Sequence, residues 1–121
     1  MHYEKEWSPK FKGSGKTYVF DIDGTICTNT HGEYEKAEPL PHRIEKVNEL
    51  YDDNNTIILF TARGMGRTEG NSLEAEKKFF KLTLNQVEQW GIKYHRLILG
   101  KPAADFYIDD KGIKDEDFFG N

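Results

Sequence analysis

Residues 17–26 read TYVFDIDGTI, an apolar run that is interrupted by Asp21 and Asp23 just before a glycine. Aromatic and β-branched residues over positions 17–22 predict a buried β-strand. A carboxylate inside or at the end of a buried strand is unfavourable by several kcal/mol unless other groups compensate it. This stretch therefore raises the question of what lies opposite the two aspartates.

The rest of the chain alternates between strand and helix patterns. Further strands are predicted at residues 56–60 (TIILF), 95–99 (HRLIL) and 105–108 (DFYI), with one helix after Pro41 and a longer one from Asn71 or Ser72 to Gly91. Strands that alternate with helices are typical of a mostly parallel sheet covered by helices. The sequence therefore predicts an α/β fold, a three-layer, Rossmann-like domain with a mostly parallel sheet.

Polar residues lie at or just beyond the end of each of the four predicted strands. They are Asp21 and Asp23, then Thr61, then Lys101, and finally Asp109 and Asp110. Because ligands of such sheets bind outside the carboxyl ends of the strands, we expect these groups at one rim. Each alone has an ordinary explanation: Asp-Gly is a turn dipeptide, Asp109-Asp110 is compatible with a solvated loop, and Lys101 with a solvent-facing lysine. Their occurrence after four separate strands favours a functional site.

Composition limits the class of protein. The 121 residues are typical of one globular domain, and 17 basic against 21 acidic residues give a net charge of −4. This balance argues against a general binder of nucleic acid or membrane surfaces, although a small anionic substrate is compatible with it. One cysteine, Cys27, excludes an internal disulfide and fits a reducing compartment.

The ends of the chain carry two further expectations. No stretch resembles a signal peptide or a membrane span, so we expect a cytoplasmic protein. Residues 1–16 are polar and basic, with Pro9, Gly13 and Gly15, and predict a flexible N-terminal arm. Residues 17–121 are expected to form a single catalytic domain.

Three other patterns do not support a site. GSGKT at 13–17 resembles the end of a P-loop, but Lys10 stands where glycine is needed and a strand follows instead of a helix. GMGRTEG at 64–70 lacks the spacing of a dinucleotide-binding turn. The four histidines lack metal-ligand spacing, and Cys27, with no histidine placed to activate it, is interpreted as a small buried residue.

Four segments together resemble the haloacid dehalogenase superfamily of phosphotransferases. They are FDIDGT at 20–25, LFTAR at 59–63, GKP around Lys101 and FYIDD at 106–110, in the order of that superfamily's signature segments. The resemblance extends from about residue 17 to the end of the chain. The TAR, GKP and FYIDDK segments are also similar to small phosphatases encoded with capsule or lipopolysaccharide sugar genes.

The resemblance implies a phosphatase that hydrolyses a phosphate monoester, such as a sugar phosphate, through an aspartyl-phosphate. It makes Asp21 the nucleophile and Asp23 the general acid and base. Thr61 becomes the phosphoryl-binding hydroxyl and Lys101 the stabilising cation. These roles agree with physical chemistry, since a lysine and a hydroxyl stabilise the charge on transferring phosphoryl oxygens.

The resemblance also implies a Mg²⁺ cofactor. Its ligands would be Asp21, the backbone carbonyl of Asp23, and Asp109 with support from Asp110. Hard oxygen ligands are those that Mg²⁺ prefers, and the ion offsets the repulsion between a carboxylate and a phosphate dianion.

The stretch between the first two predicted strands, residues 23–55, leaves no room for a separate cap domain. Specificity is therefore expected from loops 27–38 and 63–71, or from a neighbouring subunit of a homo-oligomer that closes the site. The candidate substrate-binding residues are Gly24, Thr25, Ala62, Arg63, Arg67 and Asn71.

Two other functions remain open. A polynucleotide 3′-phosphatase would use the same core, but the negative net charge and the lack of a basic stripe count against it. A phosphoacceptor signalling domain also carries aspartates, a threonine and a lysine on an α/β sheet, although there the acidic pair follows the first strand. Here the acidic pair, Asp109-Asp110, comes last, and Asp23 would hydrolyse a phosphoryl group that signalling has to retain.

Overall fold

The computed structural model describes residues 2–4, 15–65 and 72–120. The strands are β1 (His2–Glu4), β2 (Thr17–Phe20), β3 (Thr56–Thr61) and β4 (Arg96–Leu99), and the helices are α1 (Pro41–Asp52), α2 (Ser72–Gln89) and α3 (Asp115–Phe119), with a 3₁₀ helix at Tyr34–Lys36. The predicted helix after Pro41, the long helix before Gly91 and the strands at 56–60 and 95–99 are confirmed. Among the described residues, no helix has the length and apolar character needed to cross a bilayer.

The strands form one sheet in the order β1-β4-β3-β2. Strands β2, β3 and β4 run parallel, with Phe20 opposite Leu59 and Thr61 opposite Leu99, so their carboxyl ends lie at the same edge. The prediction of an α/β fold with a mostly parallel sheet is confirmed. Residues 21–40, all of them described, contain only the short 3₁₀ helix between β2 and α1, which confirms the absence of a cap domain.

Burial explains why these segments take their places. The apolar run of β3 buries Ile57 and Leu59, and β4 buries Leu97. Helix α1 begins with Pro41, whose fixed φ suits the first helical position, and it buries Ile44 and Val47. These side chains belong to one core cluster, which also includes Val87 of α2 and Ile22 after β2. This core fixes the positions of the strands and therefore the end of the sheet at which their carboxyl ends lie.

The fourth predicted strand is wrong. Residues 105–108 form no strand, and the side chains of Phe106 and Ile108 are 82% and 95% exposed. Local hydrogen bonds replace a sheet ladder: the Tyr107 hydroxyl donates to the Pro102 carbonyl, and the Asp109 carboxylate accepts from the backbone amides of Lys111 and Gly112. An apolar run with strand propensity identifies a possible strand, but such a short strand needs a hydrogen-bonded neighbour to persist.

The N-terminal residues also differ from the expectation of a flexible arm. His2–Glu4 form strand β1, which pairs antiparallel with β4, and Glu4 forms an ion pair with Arg96. Residues 5–14 of the predicted arm lie outside the described residues. Strand β1 supplies the fourth strand of the sheet, at the edge opposite to β2.

Helix α3 packs an aromatic cluster against β2. The ring of Phe118 lies 6.0 Å from Tyr18 and 5.6 Å from Phe20, and Lys46 of α1 donates to the Phe118 carbonyl at 3.0 Å. Arg43 of α1 forms a 2.7 Å ion pair with Asp115. The C-terminal helix is thereby fastened to both β2 and α1.

We predict that Phe118→Ala lowers the free energy of unfolding by about 1–3 kcal/mol, because it removes half-buried ring contacts with β2. Chemical denaturation measures this change. Phe106→Ala removes the same group from an exposed loop and is expected to change stability by less than about 0.5 kcal/mol. Equal losses in the two variants would show that α3 adds nothing to the core.

Candidate active site

Asp21 stands at the exit of β2, opposite a lysine. Its Oδ1 lies 3.7 Å from the Lys101 Nζ, and the Asp21 side chain is 34% exposed. Lys101 follows β4, and its ammonium also lies 4.3 Å from the centre of the Tyr107 ring. Burial raises the pKa of Asp21 above its ordinary value, although Lys101 and the Ile22 amide oppose that rise. Two strand ends thus bring a partly desolvated carboxylate against a cation, as predicted from the sequence.

The main chain folds into a tight turn directly after Asp21. The amides of Thr25, Ile26 and Cys27 lie 3.0, 2.9 and 3.3 Å from the Ile22 carbonyl, and the Gly24 amide donates to the Cys27 carbonyl. Gly24 has a φ of 80°, a left-handed conformation that favours glycine. The backbone amides of Gly24 and Thr25, two of the candidate substrate-binding residues, therefore donate hydrogen bonds within the turn.

Asp23 pairs with an arginine. The Nε and Nη2 of Arg63 donate to the two carboxylate oxygens of Asp23, both at 2.9 Å. The Arg63 side chain is completely buried, whereas that of Asp23 is 18% exposed. Such a fork-to-fork pair is the strong, geometrically specific form of a charged hydrogen bond.

Arg63, a candidate for substrate contact, directs its donors at protein atoms. Its Nη1 donates to the Thr83 hydroxyl at 3.1 Å and to the Gln86 carbonyl oxygen at 2.6 Å. Its Nη2 also lies 3.8 Å from the sulfur of Cys27. A guanidinium has five N–H donors, and all five are directed at protein atoms. Arg63 is therefore an internal residue of the site.

Three side chains that contact Arg63 were not predicted from the sequence: Thr83, Gln86 and Tyr34. Tyr34 begins the 3₁₀ helix between β2 and α1; its ring centre lies 4.9 Å from the guanidinium carbon, and its hydroxyl accepts from the Gly64 amide. Thr83 and Gln86 are both buried although they carry polar groups. The one available signal was the position of Thr83 next to Leu84 and Val87, within the apolar stripe of α2.

Thr61 ends β3 and is buried. Its hydroxyl accepts a 3.1 Å hydrogen bond from the Arg63 amide, and its carbonyl accepts from the amides of Gly100 and Lys101. These last bonds fix the start of the loop that carries Lys101. Ala62 is half-buried, and its carbonyl accepts from the Met65 amide. Arg67 and Asn71, the two remaining candidates for substrate contact, lie outside the described residues.

Asp109 and Asp110 do not join the other carboxylates. They lie on the exposed segment that follows residue 104. The backbone amides of Lys111 and Gly112 hold the pKa of Asp109 below its ordinary value, and Asp110 pairs with Lys111 at 3.0 Å. Within the described residues, no three His, Cys, Asp or Glu side chains are arranged to hold a metal ion. The expected magnesium ligand set is therefore not assembled in this arrangement, and a site that includes Asp109 requires this segment to approach Asp21.

Cys27 is buried, as expected. Burial, together with the nearby Asp23 carboxylate, raises the pKa of its thiol to about 12. The thiol is therefore protonated at neutral pH, which makes it a poor nucleophile.

Comparison with known proteins identifies one similar solved structure. A protein of Vibrio cholerae, crystallised as a structural-genomics target, superposes with a TM-score of 0.79 at 26% sequence identity. The match covers 88% of this chain and 89% of the other. No family model matches this chain, and no curated protein sequence matches it either. The likeness therefore supports the small α/β fold along nearly the whole chain.

We predict that Asp21→Asn raises the unfolding temperature at pH 7 by a few degrees in buffer containing a chelator. The folded-state pKa of Asp21 lies above its ordinary 3.8, so the folded state binds this proton more tightly than the unfolded chain. The free energy of unfolding therefore falls as the pH rises through the interval between the two values. Above that interval the ionised carboxylate is unfavourable, and asparagine removes it.

Thermal denaturation of both proteins between pH 3 and pH 7 measures this difference. The advantage of Asp21→Asn should disappear at the acidic end, where the wild-type carboxyl is protonated. Asp52→Asn, which changes an exposed aspartate paired with Lys93, serves as the matched control. A variant less stable than wild type at pH 7 would show that the Lys101 contact outweighs burial.

Proposed function

We propose that this protein is a phosphomonoester hydrolase that transfers the phosphoryl group to Asp21 and then to water. The observation that carries the proposal is the arrangement at the exit of β2. A partly buried carboxylate, Asp21, faces the Lys101 ammonium, while a second carboxylate two residues later is held separately by Arg63. Two carboxylates in different surroundings suit one nucleophile and one proton carrier.

In the first half-reaction, an oxygen of Asp21 attacks the phosphorus of a phosphate ester. The bond between phosphorus and the leaving oxygen breaks, and Asp23 supplies the proton that converts the leaving group to an alcohol. Lys101 neutralises part of the negative charge on the transferring phosphoryl oxygens. The product of this step is an aspartyl-phosphate.

In the second half-reaction, a water molecule attacks the phosphorus of the aspartyl-phosphate. Asp23, now ionised, takes a proton from that water as the new bond forms. The bond between phosphorus and the Asp21 oxygen breaks, which releases inorganic phosphate and restores the Asp21 carboxylate. The sum of the two half-reactions is hydrolysis of the phosphate ester by one water molecule.

The proposal includes a requirement for Mg²⁺, which follows from the family resemblance and from the need to hold a phosphate dianion near two carboxylates. The segment at residues 105–111 has to come closer to Asp21 before Asp109 can contribute. A small phosphorylated metabolite, such as a sugar phosphate, is the proposed substrate class. It fits the negative net charge better than a polynucleotide does, because nucleic-acid binding relies on a basic surface.

We predict that the purified protein hydrolyses p-nitrophenyl phosphate with Mg²⁺ present and loses this activity when EDTA is added. Asp21→Asn should abolish turnover, because an amide cannot form the aspartyl-phosphate. Release of p-nitrophenolate measures the rate, and Asp52→Asn is the control for an exposed aspartate. Full turnover by Asp21→Asn, in a preparation free of contaminating phosphatase, would exclude Asp21 as the nucleophile.

The same assay separates the alternative functions. A panel of sugar phosphates and 3′-phosphorylated oligonucleotides identifies the leaving group, and a preference for the oligonucleotides would replace the metabolite proposal. Accumulation of a long-lived phosphoprotein without release of phosphate would favour a signalling domain.

We predict that Lys101→Met lowers kcat/KM for p-nitrophenyl phosphate by about 10²-fold, the typical loss when one donor to a developing charge is removed. Lys93→Met is the matched control, because Lys93 also pairs with an aspartate but lies before β4, away from the carboxyl ends of the strands. Steady-state kinetics of the two variants measure the difference. Equal losses of kcat/KM in the two variants would show that Lys101 does not act in the site.

A further inference from the structure

We infer that Arg63 is the positioning residue that holds the Asp23 carboxylate in the geometry needed for proton transfer. This inference rests on the proposed function and adds to it a residue that acts through Asp23. The guanidinium has no donor left for a substrate, because its five N–H groups are directed at Asp23, Thr83, Gln86 and Cys27. Whatever Arg63 does for the reaction, it therefore does through its protein partners.

The surroundings of Arg63 fix the plane of the guanidinium. Helix α2 supplies two acceptors, Thr83 and Gln86, and the Tyr34 ring covers one face at 4.9 Å. The Gln86 amide in turn donates to the Tyr34 carbonyl at 2.8 Å. Because Arg63 bonds both oxygens of Asp23, a fixed guanidinium plane also fixes the plane of that carboxylate.

Asp23 keeps the access that proton transfer requires. Its side chain is 18% exposed, whereas that of Arg63 is fully buried. Oδ1 of Asp23 also accepts from the Cys27 thiol at 3.5 Å, whereas Oδ2 has a second lone pair beyond the one that accepts from Arg63. The arrangement therefore presents an oriented carboxylate oxygen beside Asp21, supported from inside the protein.

A contribution to protein stability does not by itself explain the buried pair between Arg63 and Asp23. Burying a guanidinium carries a large desolvation cost, and apolar side chains of similar volume often stabilise a core equally well or better. A preorganised proton carrier, in contrast, needs a supporting shell with fixed rotamers. The buried charge is therefore better explained by the orientation of Asp23 than by the attachment of α2 to the sheet.

The test separates the two half-reactions. With p-nitrophenyl phosphate, formation of the aspartyl-phosphate needs little help from a proton, because p-nitrophenolate is a good leaving group, whereas hydrolysis of the intermediate needs Asp23 as base. Lysine retains the charge of Arg63 but cannot bond both carboxylate oxygens. In Arg63→Lys we expect hydrolysis to slow about 10²-fold while formation changes by less than about threefold.

Stopped-flow release of p-nitrophenolate, with Mg²⁺ present, should then show a burst followed by a slow phase. Intact-mass measurement after acid quench should show accumulated phosphoprotein. Arg96→Lys is the matched control, because Arg96 also pairs with a carboxylate but lies at the start of β4. It should behave as wild type.

Thr83→Val provides a second variant if Arg63→Lys does not fold. It removes one acceptor of the guanidinium and leaves Arg63 and Asp23 in place, and the same burst should appear with hydrolysis slowed about 3- to 10-fold. Equal slowing of both half-reactions in folded variants would overturn the positioning role and leave the phosphatase intact. Wild-type protein that neither releases phosphate nor forms a phosphoprotein would overturn the proposed function, and the role of Arg63 with it.

Discussion

The ion pair between Arg63 and Asp23 is the constraint on which the candidate site depends. A guanidinium with no solvent exposure has to find protein acceptors for all of its donors, and it finds them on α2, on the turn after β2 and on Asp23 itself. These partners come from distant parts of the chain. The end of β3 therefore cannot move relative to α2 or to the turn after β2 without leaving a buried charge unsatisfied.

A different balance governs Asp21. Burial disfavours its charge and Lys101 favours it, with burial the larger effect. Because Lys101 does not fully offset the cost of burying the Asp21 charge, this carboxylate is a suitable partner for a further positive group or for an electrophile. Residues 21–40 form no cap domain, and the Asp21 side chain is 34% exposed. The segment at 105–111 carries Asp109 and Asp110 in an exposed arrangement, and the described residues hold no group of three side chains that could bind a metal ion.

Much of the fold could be predicted from residue patterns. The apolar run TIILF and the helical spacing before Gly91 identified β3 and α2, because periodicity reports directly which side of an element is buried. The strand predicted for the DFYI segment was wrong, because an apolar run cannot show whether a neighbouring strand is available. Local hydrogen bonds of Tyr107 and Asp109 form there in place of a sheet ladder. In the site, Asp21 and Lys101 were predicted together because both follow parallel strands. The partner of Asp23 was not predicted, since Arg63 was assigned to the substrate.

The sequence by itself determined the α/β class and the end of the sheet at which Asp21, Asp23 and Lys101 lie, because strand ends follow from local patterns and parallel strands share one carboxyl end. Tertiary structure alone decided the partners of Asp23 and Arg63. Thr83 and Gln86 are two polar residues on a long helix, and only the packing of α2 against the sheet turns them toward Arg63. The environment of a charge depends on residues that are distant in sequence, and that is why the two aspartates, similar in the chain, differ in the folded protein.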